Sequence, residues 1–313
     1  MKILMVHNDY GKYSGEEAVV DRFIADGRRA GYEIETLRRT SKFARESFVG
    51  KIKGFFSGMY SFEGVRMMKE ALRTFKPDIV HIHNLYPFIS PAALFQCKKA
   101  GIPVVMTVHN YRLMCPTGLF LRNGRPCENC LISGNERDCI RYNCEGNKFR
   151  TWGYALRNMV ARKTGAYKKC VDYFCCLTEF QKQKLIEAGF DSNKIFVFYN
   201  YIQTNKVENW SFPTQTHAPS STLPFVGFVG RLSEEKGYDL LLEVAERHPE
   251  INFQFAGHIR EDAQLKQLPT VIYRGLLNEE ENYQHPALSC NVLFAAVAVC
   301  AGRGCTSAYR GML

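Results

Sequence analysis

KPDIVHIHNLYPFISPAALFQCKKAGIPVVMTVHN, residues 76–110, decides how the rest of the chain is read. DIVHIH (78–83) is a short apolar run just after Pro77, and SPAALFQCKKAG (90–101) has helical spacing and stops at a glycine. PVVMTVHN (103–110) is a second short apolar run. Strand, helix, strand in that order predicts a parallel sheet with helices packed on its faces.

The same alternation extends both ways. Upstream, KILMV (2–6) reads as a strand, EEAVVDRFIADGRRAG (16–31) as a helix, YEIETL (32–37) as a strand and GVRMMKEALRTFK (64–76) as a helix stopped by Pro77. Downstream, ALRNMVARKTGAYKKC (155–170) reads as one helix, DYFCCLT (172–178) as a strand, EFQKQKLIEAG (179–189) as a helix and KIFVFYN (194–200) as a strand. Residues 203–224 turn polar, with three prolines, as a linker would. A second series then begins in LPFVGFVGRLSEEKGYDLLLEVAERH (223–248) and continues with INFQFAG (251–257) and TVIYRG (270–275). The expected organisation is an N-terminal domain over 1–202, a linker over 203–222 and a partial C-terminal domain over 223–313.

Composition bounds the function. The chain has 313 residues with 46% apolar content, enough for two cores. A net charge of +10 suits anionic partners, yet no basic run is dense enough for a nucleic-acid arm, so nucleic acid is not expected. The N-terminus lacks the apolar core and cleavage site of a secretory signal, and the longest apolar stretch (287–302) is shorter than a bilayer span. A cytoplasmic protein is therefore expected, with peripheral contact at the inner membrane face as an option. FARESFVGKIKGFFSGMY (43–60), which mixes cationic and aromatic residues, suits either an interfacial segment or an ordinary solvated helix.

The most informative chemistry is FVGRLSEEKGYDLLL (228–242). A strand leaves at Gly230, a polar loop follows, and a helix begins near Gly237. Helix N-termini favour phosphate, and Arg231 and Lys236 add two cations that would neutralise a diphosphate leaving group. Pairing of both cations with Glu234 and Glu235 on a solvated loop is the plainer reading of the spacing. In the N-terminal half, YGKYSGEEAVV (10–20) joins the first strand to a helix, with Gly15 able to admit a ligand and Glu16 suited to the first helical turn. His109 ends a predicted strand, where an open α/β sheet reaches its ligand.

These segments together resemble the retaining GT-B glycosyltransferases of family 4 (GT4), along residues 1 to about 283. The pieces that carry the likeness are HNDYGKYSGEEAVV, KPDIVHIHNLYPFISPA, GIPVVMTVHNYRLMCPTGLF, LTEFQKQKLIEAG and FVGRLSEEKGYDLLL. The resemblance implies an α/β GT-B fold of two Rossmann-like domains facing a cleft, with the second domain incomplete. It implies a nucleotide-diphospho-sugar as co-substrate, a glycan or lipid-linked acceptor, and no metal required for catalysis. Gly230, Arg231 and Lys236 would hold the donor diphosphate, His109 would contact the transferred sugar as the catalytic histidine, and Gly15 and Glu16 would face the acceptor side. His81 and His83 are read as structural. Surface polysaccharide or glycoconjugate assembly is the implied setting.

Family members carry an acidic donor motif that the stretch after RGLLNEEENYQ (274–284) does not reproduce; no Asp or Glu follows Glu281. AGHI (256–259) lacks a usual second glycine, and Tyr201 stands where glycine is common. A catalytically impaired, GT4-like binding protein is therefore the alternative.

CPTGLFLRNGRPCENCLISGNERDCIRYNC (115–144) packs five of the twelve cysteines into one insertion after the His109 strand. Cys115, Cys127, Cys130, Cys139 and Cys144 suit structural zinc through the CENC half-site, or buried free thiols. The remaining seven read as buried small residues or tail positions.

Overall fold

The computed structural model describes residues 1–10, 14–42, 48–200, 225–233, 236–259 and 265–276. The chain divides into two compact units, Met1–Arg122 with Cys127–Asn200, and Asn123–Pro126 with Tyr201–Leu313. The linker expected over 203–222 falls outside the described residues. So do Gly11, Tyr201, Glu234, Glu235, residues 43–47 and the tail with Glu279, Glu280, Glu281, Cys290, Cys300 and Cys305.

The first unit is built on six parallel strands: β1 (Lys2–Asp9), β2 (Glu33–Thr40), β3 (Ile79–Asn84), β4 (Val104–Val108) and, after an insertion, two more. The insertion holds a small hairpin, β5 (Leu121–Arg122) with β6 (Arg125–Pro126), so the last two sheet strands are β7 (Tyr173–Cys176) and β8 (Ile195–Val197). The spatial order is β2-β1-β3-β4-β7-β8. Because β1 pairs with β2 on one side and β3 on the other, the winding reverses between β1 and β3.

Helices cover the sheet as the periodicity predicts. Helix α1 (Gly15–Arg29) buries Val20 and Ile24 against Met5 and Ile34. Helices α2 (Phe48–Met59) and α3 (Phe62–Phe75) follow, and α3 buries Met68, Leu72 and Phe75. Each such side chain contributes roughly 1.5–3 kcal/mol of burial. Ser61 caps α3 by accepting from Gly64 N at 3.0 Å, while its hydroxyl donates to Phe88 O at 2.6 Å. The helix expected over 90–101 is a 3₁₀ turn at Pro91–Ala93 running into α4 (Leu94–Ala100), closed by Gly101.

The insertion carries α5 (Asn129–Ser133) and α6 (Arg137–Arg141). The single helix expected over 155–170 is two, α7 (Lys148–Thr164) and α8 (Ala166–Cys170). Asn147 caps α7 seven residues earlier than expected, and Gly165, at φ +69°, breaks the run. Helix α9 (Glu179–Glu187) then leads to β8.

The second unit has three described parallel strands, β9 (Phe225–Val229), β10 (Asn252–Ala256) and β11 (Val271–Gly275), in the order β11-β10-β9. Helix α10 (Tyr238–Arg247) buries Tyr238, Leu241 and Leu242 among Phe228, Phe253 and Phe255. The α/β class with parallel sheets is thus as the sequence predicts.

Candidate active site

In an open parallel sheet, ligands bind beyond the carboxyl ends of the strands where the winding reverses. Here that place is the crevice between β1 and β3. Strand β1 runs three residues beyond its predicted apolar stretch and ends in His7, Asn8 and Asp9, while β3 ends in His83 and Asn84. His109 is the first residue after β4.

Two asparagines brace this edge. Asn84 Nδ2 donates to Asn8 O at 2.7 Å, Asn84 Oδ1 accepts from Tyr86 N at 3.0 Å, and Asn8 Oδ1 accepts from Phe88 N at 3.0 Å. They replace the backbone partners that the ending strands no longer supply.

Four histidines meet behind them. His81 Nε2 bonds Thr107 Oγ1 at 2.8 Å, which fits the structural role expected for it. His83 lies 4.4 Å from His81 between ring centroids, and its Nδ1 is 2.8 Å from His109 Nε2. Burial, and for His109 its histidine neighbours, pushes His109 down to about 3; burial takes His81 to about 4. His83 and His7 are also lowered by burial. The rings are therefore neutral at neutral pH.

One hydrogen joins His83 and His109. Were it on His109 Nε2, His83 would carry its proton on Nε2, which is buried without a partner. An orphaned N–H costs more than a bare ring lone pair, so the proton is assigned to His83 Nδ1. His109 then accepts at Nε2 and carries its own hydrogen on Nδ1.

The loop after β1 brings two carboxylates. Glu17 Oε1 accepts from Tyr10 N at 2.7 Å, and Glu16 Oε2 accepts from the Tyr10 hydroxyl at 2.9 Å. Burial pushes Glu16 up to about 7 against the opposing pull of Arg112, and pushes Tyr10 up to about 12. Gly15 heads α1, with no atom within 4 Å of where a Cβ would stand and no left-handed φ. The position needs glycine neither for its backbone nor for internal packing, and a ligand can approach it closely.

Buried polar atoms without partners concentrate here: both ring nitrogens of His7, Ser14 Oγ, Glu16 Oε1, Glu17 Oε2 and His83 Nε2. Buried polar groups normally have partners, and such a concentration is expected where a polar ligand or ordered water completes the set. Ligand-type atoms of His7, Asp9 and Glu17 also lie within 4.8 Å of one another. Arg38 Nη2 already meets Asp9 Oδ1 at 2.7 Å, so a cation is present at this carboxylate without an ion.

In the second unit, Gly230, Arg231 and Lys236 share the β9–α10 loop. Both cations are exposed, and α10 starts at Tyr238, close to the predicted point. Ser233 O accepts from Lys236 N at 3.0 Å, which tightens the loop. Gly230 has φ +156° and donates its N–H to Ala256 O at 2.9 Å. A Cβ on Gly257 would fall 1.8 Å from Gly230 O, so the loop root admits only glycine there. His109, Gly15 and Glu16 thus gather on one unit, and Gly230, Arg231 and Lys236 on the other.

The five insertion cysteines line one small cavity with Thr117, Asp138 and Tyr142. Among the described residues, only His7, Asp9 and Glu17 bring three ligand-type atoms of this kind within 4.8 Å of each other, so the sulfurs converge on a cavity without closing to zinc spacing. Cys97, Cys170, Cys175 and Cys176 are buried, as expected.

Tyr10, Arg112 and His7 were not singled out from the sequence. The available signal was polar residues at the ends of buried strands. No helix among the described residues is long and apolar enough to cross a membrane.

A doubly wound parallel sheet with a polar cluster at its switch point, and a second α/β unit with a basic strand–helix loop, define an α/β protein with candidate ligand-binding positions on both units. The chain belongs to glycosyltransferase family 4, whose profile matches residues 13–206. It is 26% identical over 222 residues to an uncharacterized 42.6 kDa protein in the cps region of Klebsiella pneumoniae, covering 70% of this chain and 51% of that one. The chain thus spans about half the length of that curated relative. Among solved structures it is similar to Anabaena Alr3699/HepE in complex with UDP, at 15% identity and TM-score 0.49, covering 88% of this chain and 70% of that one. It is likewise similar to the apo form of the lipopolysaccharide outer core galactosyltransferase WaaB, at 15% identity and TM-score 0.49, covering 91% and 71%.

Proposed function

We propose that the protein transfers a sugar from a nucleotide-diphospho-sugar to a glycan or lipid-linked acceptor, with retention of anomeric configuration, in surface-polysaccharide or glycoconjugate assembly. Membership of glycosyltransferase family 4 supports the reaction class, and the relative from a cps region supports the polysaccharide setting. The observation that carries the reading is the buried polar cluster at the β1–β3 switch point, with His109 held by His83.

In a GT-B arrangement, Gly230 would let the donor diphosphate approach the backbone while Arg231 and Lys236 neutralise it. The bond from the anomeric carbon to the diphosphate oxygen breaks, the acceptor hydroxyl oxygen bonds that carbon on the same face, and the hydroxyl proton passes to the departing diphosphate oxygen, where negative charge collects as the bond breaks. Two fixed cations oppose that charge without metal. His109 would donate Nδ1–H to a hydroxyl of the transferred sugar, and Gly15 and Glu16 would face the acceptor.

A binding protein without turnover is the second reading, because residues 282–313 contain no Asp or Glu to match an acidic donor motif. Calorimetric titration with UDP- and GDP-sugars, followed by assays for nucleoside diphosphate release, separates the two. Saturable binding with release supports transfer; binding without release supports the second reading. Failure of the folded protein to bind any nucleotide sugar sinks both.

A further inference from the structure

We infer that Cys139 and Cys144 are a modification site, a dithiol that a hydroperoxide converts to a disulfide across the end of α6. The helix ends in a turn that sets the two residues side by side. Cys144 N donates to Cys139 O at 3.2 Å, Asn143 N donates to Ile140 O at 3.1 Å, and Asn143 is left-handed at φ +47°. These two nested bonds around a left-handed residue bring the first and sixth side chains of the turn into contact. Apolar side chains ordinarily fill that pair of positions. Here both are cysteine.

The sulfurs meet accordingly: the Cys139 thiol donates to the Cys144 sulfur. Two neighbouring cysteines are engaged elsewhere. Cys115 Sγ lies 3.2 Å from Thr117 Oγ1, and the Cys130 sulfur accepts from the Cys139 backbone N–H. The turn is also fixed before any sulfur chemistry. Thr151 Oγ1 on α7 donates to Asn143 Oδ1 at 2.8 Å and accepts from Glu145 N at 3.2 Å. Ahead of α6, Glu136 takes two bonds from Arg162, at 3.0 and 2.6 Å. Reacting groups held in place this way gain the rate advantage of an intramolecular step.

Exposure divides the roles. Cys144 is half-buried and Cys139 is 1% exposed, so a hydroperoxide reaches Cys144 first. Arg122, whose Cζ lies 3.9 Å from the Tyr142 ring centroid, favours the Cys144 thiolate by its charge. The thiolate attacks the outer peroxide oxygen, the O–O bond breaks, and the departing oxygen takes a proton and leaves as an alcohol or water. Cys144 is then a sulfenic acid. The Cys139 sulfur attacks the Cys144 sulfur, the S–O bond breaks, and hydroxide leaves as water with the Cys139 proton. Two thiols and one hydroperoxide thus give one disulfide, one water and one alcohol, or a second water from hydrogen peroxide. A dithiol reductant restores both thiols. The inference is independent of turnover: it holds for a transferase and for a binding protein alike.

The test is treatment of the reduced full chain with tert-butyl hydroperoxide at neutral pH, read by thiol titration and peptide mapping. Trypsin cuts after Arg137, Arg141 and Lys148, so Cys139 and Cys144 fall on separate peptides, 138–141 and 142–148. The peroxide is expected to remove two thiols per chain and to join those two peptides, and dithiothreitol is expected to reverse both changes. Cys144→Ser is expected to slow the thiol loss by about tenfold or more. Cys139→Ser is expected to leave Cys144 as a sulfenic acid that dimedone captures. Should that buried change unfold the chain, the half-buried Cys144 variant decides alone. Oxidation confined to Cys127 and Cys130, or retention of every thiol in excess peroxide, overturns the inference. So does one equivalent of zinc that keeps the thiols silent until a chelator is added.

Discussion

His83 presents Nδ1 2.8 Å from Nε2 of His109, with the rings 5.1 Å apart and 25° from parallel. His83 is almost fully buried and His109 is not, so the inner ring fixes the outer one. His83 is thus a positioning residue rather than a contact. His83→Ala is expected to lower kcat about 10- to 100-fold, the range of a lost orienting hydrogen bond, with the KM for donor changing less than threefold. His83→Asn, which keeps a donor near the Nδ1 position, should recover part of the loss. A structural role alone would lower melting temperature without this kcat-selective pattern.

The buried histidines also predict acid sensitivity. His81 and His109 titrate near 4 and 3 when folded and near 6.5 when unfolded, so the unfolded chain binds more protons in between. Their contribution to stability is present above pH 6.5 and is lost as pH falls toward 3, by about 1.4 kcal/mol per pH unit for each group. Urea midpoints from pH 7 to pH 4.5 should fall accordingly, and His81→Gln should flatten the slope.

Glu16 has the opposite sign. Burial raises its folded pKa to about 7, so it penalises folding as pH rises from about 4.5 to 7. Glu16→Gln is expected to stabilise the protein at pH 8 relative to pH 5, by an amount on the order of 1–3 kcal/mol. A pH-independent difference in urea midpoints would show that Glu16 is not held protonated.

Arg231 and Lys236 are exposed on the β9–α10 loop, so their removal should leave the fold intact. Arg231→Ala and Lys236→Ala are each expected to weaken nucleotide-sugar binding about 10- to 100-fold, because charge-assisted bonds to phosphate are worth roughly 1.5–3 kcal/mol. Gly257→Ala, by contrast, should unfold the loop root through its contact with Gly230 O. Calorimetry and thermal melts read the two classes apart.

Among the insertion cysteines, Cys144 is held below the ordinary thiol range by the hydrogen bond from Cys139, whereas burial pushes Cys130 up to about 12. Cys144 is therefore expected to be the fastest thiol toward a disulfide reagent at pH 7.5, and Cys144→Ser to remove that phase. Structural zinc remains the competing proposal. It predicts one equivalent of metal and slow thiols until a chelator is added.

The alternation of residues 76–110 was enough to predict a parallel α/β sheet, because strand burial and helical spacing are local properties of the chain. His109, Gly15, Arg231 and Lys236 were legible for a related reason: strand ends and the first turns of helices are readable along one dimension. The split of α7 from α8 at Gly165 was missed because ALRNMVARKTGAYKKC keeps helical spacing across a residue whose backbone turns left-handed. Tertiary structure alone decided which polar residues meet. His7 with Tyr10, His83, and His109 with Arg112 come from three separate stretches of sequence, and pairing of β1 with β3 brings strand ends 76 residues apart into hydrogen-bonding contact, as Asn84 and Asn8 show. Their pKa shifts are tertiary as well, since desolvation depends on what surrounds a group in space and not on its neighbours in the chain.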